Sequence, residues 1–102
     1  MTYKLFIDDE RFPVDDSWII VRSSAEAIQV LKDLGMPSFI SFDHDLGGDD
    51  TSINFINYMI GCLLDNNINL PEDFDYYVHS QNPVGKQNIE GLMQSIIKHF
   101  KN

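Results

Sequence analysis

"WIIVRSSAEAIQVLKDLGMPSFISFD", Trp18 to Asp43, changes its apolar period twice. Trp18 to Ser23 is a short apolar, β-branched run; Ser24 to Leu34 carries Ala27, Ile28, Leu31 and Leu34 at three-and-four spacing; Ser38 to Asp43 is a short apolar run again. The outer runs read as strands and the middle as a helix. Ser23 and Glu26 have the spacing of a capping box, and Gly35 is a natural stop. Strand, helix, strand is the signature of a crossover between parallel neighbours.

The same reading extends in both directions. Tyr3 to Asp8, "YKLFID", is a strand separated from the next by "DERFPVDD", a loop in which Pro13 discourages helix. After Asp43, Asp50 or Thr51 caps a helix whose Ile53, Ile56, Met59, Ile60, Leu63 and Leu64 share a face. "FDYYVHS" is a fourth strand. The last helix runs from about Val84 to Phe100, with Ile89, Leu92, Met93, Ile96, Ile97 and Phe100 in one stripe, read as core. The order strand, strand, helix, strand, helix, strand, helix predicts one domain over 1–102: a mostly parallel α/β sheet of about four strands, order 2-1-3-4, with right-handed crossovers and helices on both faces.

Composition narrows the functions. A chain of 102 residues with 43% hydrophobic content supports one folded core. Seven Lys plus Arg against sixteen Asp plus Glu give a formal charge of −9, which excludes nonspecific attraction to nucleic-acid duplexes or anionic membranes. No apolar run reaches the roughly 20 residues of a membrane span. The single Cys62 rules out an intrachain disulfide and, with an opening "MTYKLFIDDE" unlike a signal peptide, leads us to expect a cytoplasmic protein. His99 fits a surface role at the end of the last helix.

The strands end in "DDER", "RSS", "DHDLGG" and "HSQNP", polar stretches of an otherwise apolar framework. Ligands of open α/β sheets bind outside the carboxyl ends of strands, so these four should converge on one crevice. Crowded carboxylates need a divalent cation, a shared proton, or an intervening Arg or imidazolium. Asp8, Asp9, Asp43 and Asp45 are the candidate ligands for Mg²⁺ or Mn²⁺. Alternation along a continuing strand would put Asp43 and Asp45 on one face and turn His44 away, but a strand end is looser. His44 and His79, with Asp43, are the candidate catalytic groups, because paired imidazoles can act as general base and acid in phosphodiester cleavage. Arg11, Ser80, Asn82 and Lys86 are candidate phosphate contacts, helped by the N–H groups that open the last helix. Arg22 flanks the second strand end. Ser80 or Asn82 also suits a helix cap, with Pro83 at the first helical position.

"LFIDDE" resembles the first strand of response-regulator receiver domains, in which paired acidic residues and an aspartate ending the third strand hold Mg²⁺. Asp8, Asp9 and Asp43 match that trio in type and order. The departures are the missing helix between the first two strands, "FDHDLGG" in place of "LDxxMP", and no fifth strand with its lysine. A fuller similarity, through "LFIDDERFP", "ISFDHDLGG" with a Thr-started helix, and "VHSQNPVGKQNI", is to the cyclic-phosphate processing receiver family. It implies a reduced receiver-like (flavodoxin-like) three-layer sandwich that binds or hydrolyses a nucleotide-derived cyclic phosphate. Carried over by position, the implied site is Asp8, Asp9, Arg11, Asp43, His44, Asp45, His79, Ser80 and Asn82. The expected function is hydrolysis of a small cyclic phosphate or cyclic nucleotide. The alternatives are a non-catalytic module that sequesters a nucleotide signal, and an atypical protein-interaction domain with its negative charge spread over one face.

Overall fold

The computed structural model describes residues 2–101. Each short apolar run becomes a strand: β1 (Lys4–Ile7), β2 (Trp18–Val21), β3 (Phe39–Phe42) and β4 (Asp75–Val78). Each three-and-four pattern becomes a helix: α1 (Ser24–Leu34), α2 (Ser52–Leu64) and α3 (Pro83–Phe100). Ser23 caps α1, accepting from Glu26 N, and Gly35 closes it. Asn82 caps α3, accepting from Gly85 N, with Pro83 at its first position.

All strand pairs are parallel, in the expected order β2-β1-β3-β4. Ile7 lies opposite both Val21 and Phe42, and Phe42 opposite Val78. The ladder runs one residue further, with Asp43 N donating to Ile7 O at 2.8 Å and His79 N to Phe42 O at 2.9 Å. Asp8, Asp43 and His79 therefore finish abreast. Side chains alternate along a strand, so all three project to the face that also carries Phe6, Ser41 and Tyr77.

The opposite face carries the core. Leu5, Ile7, Ile40, Phe42 and Val78 cluster there with Ala27 and Leu31 of α1, Phe55, Ile56 and Met59 of α2, and Ile89, Met93 and Ile96 of α3. The helices pack in succession, α1 on α2 and α2 on α3. The fold class, strand count and order are as the sequence predicts; the layering is not three-layer with helices on both faces. All three helices lie on one face, for a topological reason. The steps β2 to β3 and β3 to β4 cross the sheet in the same direction, so right-handed crossovers put α1 and α2 on the same side. Only β1 to β2 steps the other way, and that connection is the Pro13 loop. The loop lies over the second face instead of a helix.

Asp50, expected among helix-start charges for α2, also serves α1. Its carboxylate accepts from Ser24 N at 2.8 Å, Ser24 Oγ at 2.5 Å and Asn54 Nδ2 at 2.9 Å, joining the starts of two helices. Desolvation works against its charge, but these bonds win and its pKa is lowered. Asp50→Ala should lower stability by about 2 kcal/mol, since charge-assisted bonds are worth roughly 1.5–3 kcal/mol each and partial exposure recovers some. A urea midpoint unchanged at neutral pH would contradict this.

Candidate functional site

Asp8 is fully buried, 0% exposed, yet charged in character. Its Oδ1 accepts from Glu10 N and Arg11 N, both at 2.9 Å, which closes the turn after β1. Its Oδ2 accepts from Arg11 Nε and His79 Nε2, both at 2.9 Å. Desolvation alone would raise its pKa; the two backbone bonds, His79 and the Arg11 charge outweigh it and hold the carboxyl below its ordinary value.

Arg11 then reaches Asp43 through a terminal nitrogen at 3.4 Å. One planar guanidinium thus separates the two buried carboxylates. Asp43 accepts from His44 N at 2.9 Å, while its carbonyl accepts from Ser52 Oγ of α2. Arg22, at the end of β2, fastens the loop from behind. It donates to Asp8 O at 3.0 Å and Arg11 O at 2.5 Å, and its guanidinium lies 4.7 Å from the centre of the Phe12 ring.

His79 is gripped on both edges. An ionised Asp8 is acceptor only, so Nε2 carries the proton of that bond. Nδ1 lies 2.7 Å from Ser41 Oγ, and the ring stacks on Phe6 with centroids 4.8 Å apart. Ser41, Asp8 and His79 form a continuous chain of hydrogen bonds. Ser41 joins this candidate site, and sequence reasoning passed over it as strand. Its signal was a hydroxyl inside the apolar run "FISF", two residues before Asp43 and so on the same face.

His44 goes elsewhere. Its ring lies against Gly85 of α3, and its Nδ1 pairs with Asp45 Oδ1 at 3.0 Å. Asn82 Nδ2 holds the other Asp45 oxygen at 3.2 Å. The bond from His44, then that from Asn82, lowers the Asp45 pKa. His44 and His79 line no common cavity: one belongs to the helix layer, the other to the open face.

Two cavities meet at Arg11. The first, about 480 Å³, lies over the strand ends and is walled by Asp9, Glu10, Asp43 and Asp45 on the acidic side and Ser80, Gln81 and Asn82 on the other. The second, about 400 Å³, lies between the loop and the open sheet face, walled by Phe6, Phe12, Trp18, Phe39 and Tyr77, with Ser41 and His79 at its inner end. Glu10 and Gln81 were not among the expected site residues. Lys86 lines neither cavity. Gly47, with φ of +93°, takes a backbone conformation closed to other residues and brings the loop within 3.6 Å of Asp9 for any added Cβ.

The expected metal set divides. Ligand atoms of Asp8, Asp43 and His79 lie within 4.8 Å of one another, but Asp9 and Asp45 are not in that group. Each Asp8 oxygen already accepts two hydrogen bonds, and Arg11 fills the gap between Asp8 and Asp43, so these residues as arranged leave no place for an ion at Asp8. The acidic cavity is different. Asp9, Asp43 and Asp45 offer hard oxygen donors on its wall, where Arg11 is the sole cation among the described lining residues. Their oxygens do not form a group within 4.8 Å of one another, so as arranged they fit a hydrated Mg²⁺ held by one or two carboxylates with substrate phosphate completing its shell.

A parallel sheet in order 2-1-3-4, with acidic residues closing its first and third strands, defines a receiver-like α/β domain. The chain belongs to the cyclic-phosphate processing receiver domain family, whose profile matches residues 3–95. The family's description links it to cyclic-phosphate processing. No curated protein and no solved structure matches the chain. Among the described residues no helix is long and apolar enough to cross a membrane.

Proposed function

We propose that the protein binds a nucleotide-derived cyclic phosphate at Arg11 and opens its ring by hydrolysis. The observation that carries this reading is the position of Arg11 at the junction of both cavities, with Asp43 on one side and the Ser41–His79–Asp8 chain on the other. Arg11 uses Nε on Asp8 and one terminal nitrogen on Asp43, which leaves its second terminal nitrogen for a phosphate oxygen. Ser80 and Asn82 stand across the acidic cavity as further donors.

Ring opening adds water across a P–O bond. The water oxygen attacks phosphorus, Asp43 takes the water proton, and the bond to the ribose oxygen breaks. The Ser41 hydroxyl passes its proton to the leaving oxygen as Oγ takes a proton from Nδ1 of an imidazolium His79, which ends neutral with its remaining proton on Nε2 toward Asp8. The product is a phosphomonoester with a free hydroxyl. A divalent cation held by one or two of Asp9, Asp43 and Asp45 would neutralise phosphate charge in a cavity where carboxylates otherwise repel it. His44 acts at one remove, by holding Asp45.

The trial is a panel of 2′,3′- and 3′,5′-cyclic nucleotides, with and without Mg²⁺ or Mn²⁺, followed by ³¹P NMR. We expect a monoester product, with turnover reduced about 100-fold or more in His79→Ala, the usual scale of general acid–base catalysis. No product from any compound under any metal condition would sink the hydrolytic reading. A second reading is favoured by one observation: both ring nitrogens of His79 and both oxygens of Asp8 are already bonded within the protein. A binding module that sequesters the ligand needs no free base. Calorimetry showing saturable binding with the ligand recovered intact would select it.

A further inference from the structure

Resting on the reading that a cyclic phosphate sits at Arg11, we infer that the aromatic cleft on the open sheet face is the nucleobase site, so that the substrate is a nucleotide recognised through its base. The cleft is the surface a missing crossover helix leaves behind. Phe6 and Trp18 meet edge to face at 5.9 Å, as do Trp18 and Phe39 at 5.6 Å, forming one aromatic wall. Tyr77, on the same sheet face, is 59% exposed, and Phe12, on the loop opposite, is 76% exposed. Large apolar side chains left open on both sides of a 400 Å³ cleft are surface that a flat ligand would cover.

Three features select a base over other occupants. Arg11 lines this cleft and the polar cavity alike, so a phosphate on its guanidinium has its remaining half directed to one side or the other. The acidic side repels electron-rich heteroatoms; the aromatic side stacks them. Trp18 supplies the second feature. Its ring, set edge to face with both Phe6 and Phe39, makes the cleft wall aromatic along its length. A purine or pyrimidine offers a flat π-face to such a wall, whereas an acyl chain gains no stacking from it. Third, the formal charge of −9 disfavours an anionic lipid surface.

Trp18 is the single tryptophan, so its fluorescence reports the cleft. The test titrates the full chain with adenosine and uridine 2′,3′-cyclic phosphates and with ribose 2,3-cyclic phosphate, which lacks a base. The nucleotides should change Trp18 emission and bind about 10-fold or more tightly than the base-free compound, as one base stacked on aromatics provides. Tyr77→Ala, at an exposed position, should weaken the nucleotides by about 10-fold and leave the base-free affinity unchanged. Equal affinity for nucleotide and base-free compound overturns the base site while leaving phosphate binding intact. No binding by any of the three overturns both. A sedimentation experiment covers the remaining occupant: a dimer that Tyr77→Ala dissociates, with nucleotide affinity unaltered, assigns the cleft to a second copy and overturns the inference.

Discussion

Asp8→Ala is expected to destabilise the fold by about 3 kcal/mol, the lower end of the range for removing one partner of a buried ion pair. Four donors lose their acceptor together: Glu10 N, Arg11 N, Arg11 Nε and His79 Nε2. The value stays low in the range because the Arg11 side chain is 41% exposed and can rehydrate. The backbone donors have no such relief until the turn opens. Since that turn launches the loop over the open face, both cavities should deform with it. Asp8→Asn keeps the shape and one acceptor and isolates the charge. The Asp8 pKa is lowered in the fold, so its charge contributes stability that is fully present above the ordinary carboxylate value, about 3.9, and is lost as pH falls through the folded value. The gap between wild type and Asp8→Asn should therefore be widest near pH 7 and shrink below about pH 4. Urea midpoints at pH 7 and pH 3 measure it, and a gap that grows on acidification would rule the assignment out.

The same residue shows where sequence reasoning succeeds and where it stops. Period and punctuation located every strand and helix, because apolar alternation and caps are local properties: Ser23, Gly35, Asn82 and Pro83 each act within one turn of where they stand. Strand ends were also legible, and with them Asp8, Asp43 and His79, since a parallel register needs only that the strands end together. Layering was legible in principle. The absent helix between β1 and β2 was visible in "DERFPVDD", and a right-handed crossover rule applied to order 2-1-3-4 leaves the second face bare. The expectation of helices on both faces came from the alternation of strands and helices as a whole, without weighing that this one connection carries no helix.

Pairing among the charged residues could not be read in advance. The four aspartates at the strand ends, Asp8, Asp9, Asp43 and Asp45, are equally plausible metal ligands on paper. Only the turn after β1 decides that Arg11 folds back three residues to sit between Asp8 and Asp43, and only the meeting of the segment after β3 with the start of α3 gives Asp45 to His44 and Asn82. Four acidic residues, Asp9, Glu10, Asp43 and Asp45, do share one cavity wall at the strand ends. Ser41 was hidden for a different reason. A serine between isoleucine and phenylalanine in a buried strand is unremarkable until the partner strand, which sets Tyr77 opposite it, brings the His79 ring to its hydroxyl from two residues further along the same face.

Gly85→Ala should destabilise the protein, although alanine ordinarily stabilises a helix by up to about 1 kcal/mol over glycine. A Cβ at Gly85 would lie 2.4 Å from His44 Cγ and 2.8 Å from its Cβ. Because the clash involves the root of the side chain, rotating the ring cannot relieve it; α3 or the segment after β3 must move. Overpacking of this kind costs about 1–3 kcal/mol, enough to reverse the sign of the propensity gain. Gly91→Ala, in the same helix with nothing within 4 Å of the added atom, should instead stabilise by a few tenths to about 1 kcal/mol. Displacing His44 also removes the main cause of the low Asp45 pKa, so that carboxyl should titrate closer to its ordinary range in Gly85→Ala. His44→Ala combined with Gly85→Ala removes the contacts to the ring but keeps the His44 Cβ that would lie 2.8 Å away, so it should recover part of the stability lost in Gly85→Ala. Thermal midpoints of the four proteins decide the matter: if Gly85→Ala melts at or above wild type, the close approach of α3 to His44 is not what fixes the Asp45 edge of the site.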